Sequence, residues 1–334
     1  MSKIPAKEIR LQSRPQGEPT PDNFELATVD LAELKNGEVL VRNAYFSVDP
    51  YMRGRMSDAK SYVPPFVLGK ALEGAAIGQV VQSLNADFPV STWVQSLYGW
   101  RDYYIAPAGQ LRKMDVSQAP ASAFLGVLGP TGLTAWVGLN DIAQIKEGET
   151  IFVSGAAGAV GSVVCQLAKL RGCRVIASAG TASKIAFLKN EVKVAAAFNY
   201  RDADVTAQLQ AAAPEGLHVY FDNTEGPQLE AALASMRNHG RIVLCGAISG
   251  YNTPVPGPRN LVVAIGKRLR LEGMIVVDHL HRMPQFLAEM IPLLRAGKLL
   301  HRETIVNGLE NAPEAFLALL RKGDSHIGKL VIRV

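Results

Sequence analysis

The stretch with the clearest chemical meaning is Thr150-Ile151-Phe152-Val153-Ser154-Gly155-Ala156-Ala157-Gly158-Ala159-Val160-Gly161-Ser162. An apolar strand runs into Ala156-x-Gly158-x-x-Gly161. A helix is expected next, because Val160, Val163, Val164, Leu167 and Ala168 recur on one face at a 3.6-residue period. Gly172 stands where a glycine ends such a helix. A turn without side-chain bulk lets a pyrophosphate approach the backbone. The first helical N–H groups point at it, with the helix dipole behind them. Ala156 stands where the usual fingerprint begins with glycine. Between two strands the pattern reads as a dinucleotide site; the alternative is a plain helix–strand packing turn.

The end of the second strand discriminates between dinucleotides. An NAD site places an Asp or Glu about 20 residues on, against the ribose hydroxyls. Here Ser178-Ala179-Gly180-Thr181-Ala182-Ser183-Lys184 supplies hydroxyls and one ammonium but no carboxylate. A ribose 2′-phosphate would be attracted, which points to NADPH/NADP as the cofactor. Taken alone, Lys184 reads equally as one more solvated charge on the following helix.

These residues need a parallel sheet behind them, and the chain is long enough to supply one. Its 334 residues suggest two domains, and 48% apolar against 19% charged residues allows a substantial core. Short β segments at 151–154, 174–178, 197–200, 219–222 and 241–245 alternate with helical patterns, the signature of a doubly wound α/β domain. Upstream, runs at 38–44, 74–81 and 93–97 are broken by Gly and Pro. They suggest a compact antiparallel or barrel-like domain. The helical rhythm is expected to end near Glu303, with the final residues from Lys329 to Val334 returning as a strand to the first domain.

Composition excludes several classes. The net charge of +5 is scattered rather than clustered, so no nucleic-acid partner is expected. Three cysteines (Cys165, Cys173, Cys245) are too few and too widely spaced for a disulfide scaffold or a structural zinc, and point to a reducing compartment. They read as small hydrophobes rather than nucleophiles. Apolar runs such as 261–265 are far shorter than the ~18 residues of a membrane span, and no signal segment opens the chain. The chain therefore reads as soluble and cytoplasmic, with no membrane association.

Several further stretches carry a resemblance: Arg14-Pro15-Gln16-Gly17-Glu18-Pro19-Thr20, Ser47-Val48-Asp49-Pro50-Tyr51-Met52-Arg53-Gly54, Gly132-Leu133-Thr134-Ala135-Trp136, Tyr220-Phe221-Asp222-Asn223 and Cys245-Gly246-Ala247-Ile248-Ser249-Gly250-Tyr251-Asn252. Together with the glycine turn, Phe198-Asn199-Tyr200 and Gly328-Lys329, they resemble the zinc-independent medium-chain dehydrogenases/reductases over nearly the whole chain. The group is that of the alkenal/prostaglandin reductases (leukotriene hydroxydehydrogenases), including curcumin reductases.

The resemblance implies a GroES-like β-barrel-type catalytic domain over 1–122, a Rossmann NADP-binding domain over 123–302, and a C-terminal segment, 303–334, returning to the first. Gly158, Ala159, Val160, Gly161 and Ser162 would face the pyrophosphate, with Lys184 and Tyr200 near the 2′-phosphate. Asn223, then Cys245, Gly246, Ala247, Ile248, Ser249 and Tyr251, and then Met274, Ile275 and Val276, would line the path to the nicotinamide. The group's Asn-x-Gly-Lys motif has His326 in place of Asn, and a Leu-Gly-Ala-Asp helix end is replaced around Lys189-Asn190-Glu191-Val192-Lys193.

The implied reaction reduces the C=C bond of an α,β-unsaturated aldehyde or ketone (an enal or enone) with NADPH, adding hydride to the β-carbon. Charge then builds on the carbonyl oxygen, where a phenol is a suitable donor. Tyr251 and Tyr51 are the catalytic candidates; Asp49 and Arg53 are expected to pair and fix their loop. A zinc dehydrogenase would show Gly-His-Glu where this chain has Gly69-Lys70-Ala71, so no metal is expected. The six histidines show no ligand spacing beyond His279-x-His281, read as a surface loop. A homodimer is implied by the group. Two other readings stay open: a quinone reductase on the same scaffold, and a non-catalytic NADPH-binding sensor.

Overall fold

The computed structural model describes residues 4–321 and 326–334, which form two compact units. The first comprises residues 4–125, 303–321 and 330–334. Here β1 (Ile4–Leu11) pairs with β2 (Phe24–Leu31), and β3 (Glu38–Ser47) is the hub of a larger sheet. It pairs antiparallel with β4 (Ala76–Ser83) and β6 (Tyr103–Pro107); β5 (Trp93–Ser96) and β7 (Arg112–Lys113) continue outward from β4. Alternation along β3 and β4 sends Val39, Val41 and Val80 inward, where they meet Val94, Tyr104, Ala106 and Leu111. After β3 the chain makes the one-turn α1 (Met52–Arg55).

The second unit, residues 126–302 and 326–329, is the expected doubly wound domain. Its parallel strands are β8 (Thr150–Val153), β9 (Arg174–Ala179), β10 (Ala196–Asn199), β11 (Leu217–Asp222), β12 (Met236–Leu244) and β13 (Arg270–Gly273), in the order β10-β9-β8-β11-β12-β13. Phe152 stacks on Tyr220 with ring centroids 4.9 Å apart, in a cluster with Ile176 and Ile242. The last strand, β13, was not among the expected strands. It is an edge strand carrying Arg270 and Glu272, so it lacks the apolar run that marks its buried neighbours.

Helices α2 (Pro130–Val137), α3 (Ala159–Leu170), α4 (Ala182–Ala186), α5 (Val205–Ala212), α6 (Pro227–Ser235), α7 (Val263–Lys267) and α8 (Met283–Arg295) complete the unit. Gly172 (φ +77°) ends α3 as expected. The N–H of Cys173 bonds back to Ala168 at 3.0 Å and that of Gly172 to Lys169, also at 3.0 Å. Cys165 and Cys173 are buried.

Two expectations need correction. The helical rhythm does not end at Glu303: between β14 (Glu303–Asn307) and β15 (Lys329–Arg333) lies α9 (Ala312–Leu320), which buries Ala312, Phe316, Leu317 and Leu320. Its apolar side is broad enough to read as featureless in sequence. His279 and His281 lie in a 3-10 stretch, Val276–Arg282, rather than an irregular loop.

The departure at 189–193 has a local consequence. After α4 the chain tightens through Phe187–Val192, and Lys193 closes it with φ 59° and ψ 51°, the left-handed conformation that glycine adopts without strain. Lys193→Gly should therefore raise stability by about 0.5–1 kcal/mol, a gain in thermal midpoint of roughly 1–3 °C. A scanning-calorimetry comparison with the parent chain checks it.

Candidate functional site

Apart from His326, the candidate residues of the second unit lie at or just beyond the carboxyl ends of parallel strands. The turn follows β8, Lys184 follows β9 on α4, and Tyr200 follows β10. Asn223 follows β11, Cys245–Tyr251 follow β12, and Met274–Val276 follow β13. Because β9 and β11 flank β8 on opposite sides, the chain leaves the sheet there in both directions and opens a crevice between β8 and β11.

Short contacts hold the turn closed. Ala156 N–H donates to Ser178 O and Gly158 N–H to Gly155 O, both at 3.0 Å. A Cβ on Gly161 would lie 2.5 Å from Gly155 O and 2.7 Å from the Ala156 Cα, so only glycine lets α3 start this close to the strand end. A Cβ on Gly158 would meet nothing within 4 Å except Gly155 O at 3.2 Å. Gly158 and Val160 are half-buried, whereas Ser162 is buried. This is a cradle with one open side, bordered by the free N–H groups of a twelve-residue helix, and it fits a pyrophosphate.

On the far side of the crevice, Asn223 is fixed through Ser154. Its N–H donates to Ser154 Oγ at 3.0 Å and its amide Nδ2 to Ser154 O at 2.8 Å. Behind it, Asp222 Oδ1 accepts from the Tyr220 hydroxyl (2.8 Å), Ser154 Oγ (3.2 Å) and the N–H groups of Thr224 and Glu225 (2.9 and 2.8 Å). Burial outweighs those donors and holds the Asp222 carboxyl above its usual range. The Asp222 carbonyl then accepts from Cys245 and Gly246, joining the ends of β11 and β12. Ser154 and Asp222 are positioning residues missed in the sequence reading. Their signal was a polar residue closing each of two apolar strands.

The Cys245–Gly250 segment is half-buried. Burial, with Asp222 adding to it, pushes the Cys245 thiol up to about 12, so it is not a thiolate nucleophile. Tyr251 folds back on this segment: its oxygen accepts the Ala247 N–H at 3.4 Å and lies near Gly246. Ile248 N–H reaches Asn223 O, also at 3.4 Å. Met274 is buried, while Ile275 and Val276 are half-buried.

Around the end of β9, the Lys184 N–H donates to Thr181 Oγ1, the cap of α4, at 3.3 Å. The Tyr200 ring packs against Gly180, where a Cβ would lie 2.9 Å from its hydroxyl. The segment from His326 joins them through Gly328, whose N–H donates to Ala157 O at 2.8 Å and which bridges Gly158. The His326 imidazole faces Lys184 and Lys329. The donor set fits an anionic group beyond the pyrophosphate.

Tyr51 lies in the other unit, just before α1. Burial and the Asp49 carboxylate push its phenol far above the ordinary range, against an opposing hydrogen bond from Arg55, so it stays protonated. Arg53 donates to Gly17 O at 2.7 Å, and Ser47 donates to Asp49; these contacts tie the loop to the preceding segment. Among the described residues, no three His, Cys, Asp or Glu side chains are placed to hold a metal.

Two family models match the chain, one described as N-terminal domain of oxidoreductase over residues 7–114 and one as zinc-binding dehydrogenase over 159–292. Fold and matches define a two-domain oxidoreductase of the dehydrogenase class. The chain is similar to the NADPH-dependent curcumin reductase of Escherichia coli (strain K12), 41% identical over 97% of this chain and 95% of the other. It is also similar to 2-alkenal reductase (NADP(+)-dependent) of Nicotiana tabacum, 38% identical over 98% and 97%. The solved structure of CurA in complex with NADPH from Vibrio vulnificus superposes with a TM-score of 0.92 at 41% identity, over 98% and 99% of the two chains. The chain belongs to the medium-chain dehydrogenases/reductases, in the group of alkenal and prostaglandin reductases.

Proposed function

We propose that this protein is an NADPH-dependent reductase of the C=C bond in α,β-unsaturated aldehydes and ketones, working without a metal. One observation carries the reading: a glycine cradle stands beside a β9 end, 178–184, that carries Lys184 and no Asp or Glu, in a chain similar end to end to reductases named for curcumin and 2-alkenals. NADPH, when bound, supplies the hydride for the β-carbon.

Gly158, Ala159, Val160, Gly161 and Ser162 would hold the pyrophosphate, and Lys184 and Tyr200 the 2′-phosphate. Asn223, Cys245–Ser249 and Met274–Val276 would border the nicotinamide. Tyr251 is the proposed donor to the substrate oxygen: an oxygen that already accepts the Ala247 N–H releases its own proton into a hydrogen bond more readily. Tyr51, kept protonated, is the second candidate donor.

NADPH oxidation followed against enals, aryl enones and quinones, with products identified by mass, tests the reading. Saturated aldehydes and ketones support it. Hydroquinone formation with enals spared would make it a quinone reductase, and tight NADPH binding without turnover a sensor. Tyr251→Phe should lower kcat roughly 100-fold with the NADPH Kd unchanged. Undiminished turnover removes that phenol from the chemistry.

The same proposal extends to a cytoplasmic homodimer. Its support is three free thiols and an apolar run beside the open edge of β13, where Leu261, Val262 and Ile265 are 50%, 70% and 76% exposed. Light scattering should give twice 35.9 kDa, and Ile265→Lys should return the single-chain mass.

A further inference from the structure

Glu225 has a backbone conformation that its side chain must justify. It follows β11 in the segment Asn223-Thr224-Glu225-Gly226, and its φ is +59°, in the left-handed region that glycine enters freely and a glutamate does not. Such strain persists only where the surroundings hold it. Here the Glu225 N–H is tied to Asp222 Oδ1 at 2.8 Å. The half-buried side chain lands on Gly250: a Cβ there would collide with the carboxyl oxygen Oε1 and lie 3.3 Å from Cδ. Val255 Cγ2 is 3.6 Å from the same point.

That contact is the third of a series in which two segments run in step. Ile248 N–H donates to Asn223 O at 3.4 Å, and Ser249 N–H to Thr224 O at 3.3 Å. Both bonds exceed the usual length of about 2.9 Å and hold the turn only weakly. At the next step Gly250 N–H goes to Ala247 O at 3.0 Å, and it is the Glu225 carboxyl, not a carbonyl, that meets Gly250. The residue after that is Tyr251, whose oxygen accepts the Ala247 N–H at 3.4 Å. We propose that Glu225 is a positioning residue for Tyr251, its carboxyl seating the Ile248–Gly250 turn so that the phenol is held in one place. This rests on the reading of Tyr251 as donor to the substrate oxygen. A misplaced donor costs rate more than it costs cofactor binding.

Two substitutions test it. Glu225→Gly removes the contact and should lower kcat for an enone roughly 10-fold or more, with the NADPH Kd within about threefold. Its thermal midpoint should stay level or rise, because the strain at 225 is released. Glu225→Gln keeps an oxygen and the same shape against Gly250, and should hold kcat within about threefold of the parent. In protein labelled at the tyrosine ring carbons, the Tyr251 signal, assigned by its loss in Tyr251→Phe, should move or broaden in Glu225→Gly. Parent kcat or an unmoved Tyr251 signal in Glu225→Gly overturns the proposal, as does a loss of kcat that comes with a falling thermal midpoint. The double variant separates the two readings. If Glu225 acts through Tyr251, adding Glu225→Gly to Tyr251→Phe costs little more. A full further loss overturns the proposal and leaves Tyr251 as donor. If Tyr251→Phe alone turns over as the parent does, the Tyr251 reading fails and this one falls with it.

Discussion

Lys184→Glu should weaken NADPH binding roughly 100-fold while leaving NADH within about threefold, as measured by calorimetric Kd. Lys184 lies on α4, just after the end of β9, and its ammonium faces His326. Inverting its charge removes one ionic hydrogen bond and sets a carboxylate against a dianion, which only the 2′-phosphorylated nucleotide experiences. Local folding should not suffer. Thr181 caps α4 by accepting the N–H of this same residue, and a glutamate there is the partner a capping box asks for. An unchanged ratio of the two affinities would mean that Lys184 does not face the 2′-phosphate.

A comparably large loss is expected from Gly161→Val, for a different reason. The new Cβ would press on Gly155 O and the Ala156 Cα, which are backbone atoms and cannot rotate aside. The start of α3 must move, lowering stability by about 1–3 kcal/mol and NADPH affinity at least 100-fold. Gly158→Ala separates the two effects. Its Cβ meets one carbonyl at 3.2 Å and otherwise points into open space. The thermal midpoint should therefore stay within a few degrees while NADPH binding weakens, since that space is where a phosphate would lie. If Gly158→Ala binds NADPH as the parent does, the cradle is only a packing turn.

What could be read from the residues followed from how local their causes are. The glycine turn, α3 and its end at Gly172 are consecutive, and their periodicity and φ requirements are visible in a line of text. So are β8, β9 and β11, whose apolar runs report burial on both faces. β13 escaped because an edge strand need not be apolar, and α9 because a broad apolar side leaves no polar stripe to mark its period. The grouping of His326 with Lys184 and Lys329 could not be read at all. It depends on Gly328 docking onto a turn far away in the sequence. The same holds for Ser154 and Asp222, whose joint grip on Asn223 spans two strands.

In the first unit, Ser47 of β3 lies opposite Val331 of β15. On the ribosome β3 emerges well before that neighbour, with nearly the whole nucleotide-binding unit translated between them. A nascent chain thus exposes the Tyr45–Ser47 end of β3, beyond the part that β6 covers, until β15 is made, a standing invitation to intermolecular strand pairing. Pairing across so long an interval also makes for slow closure. Chaperone dependence during translation, and poor recovery after dilution from denaturant, should belong to this unit rather than to its partner.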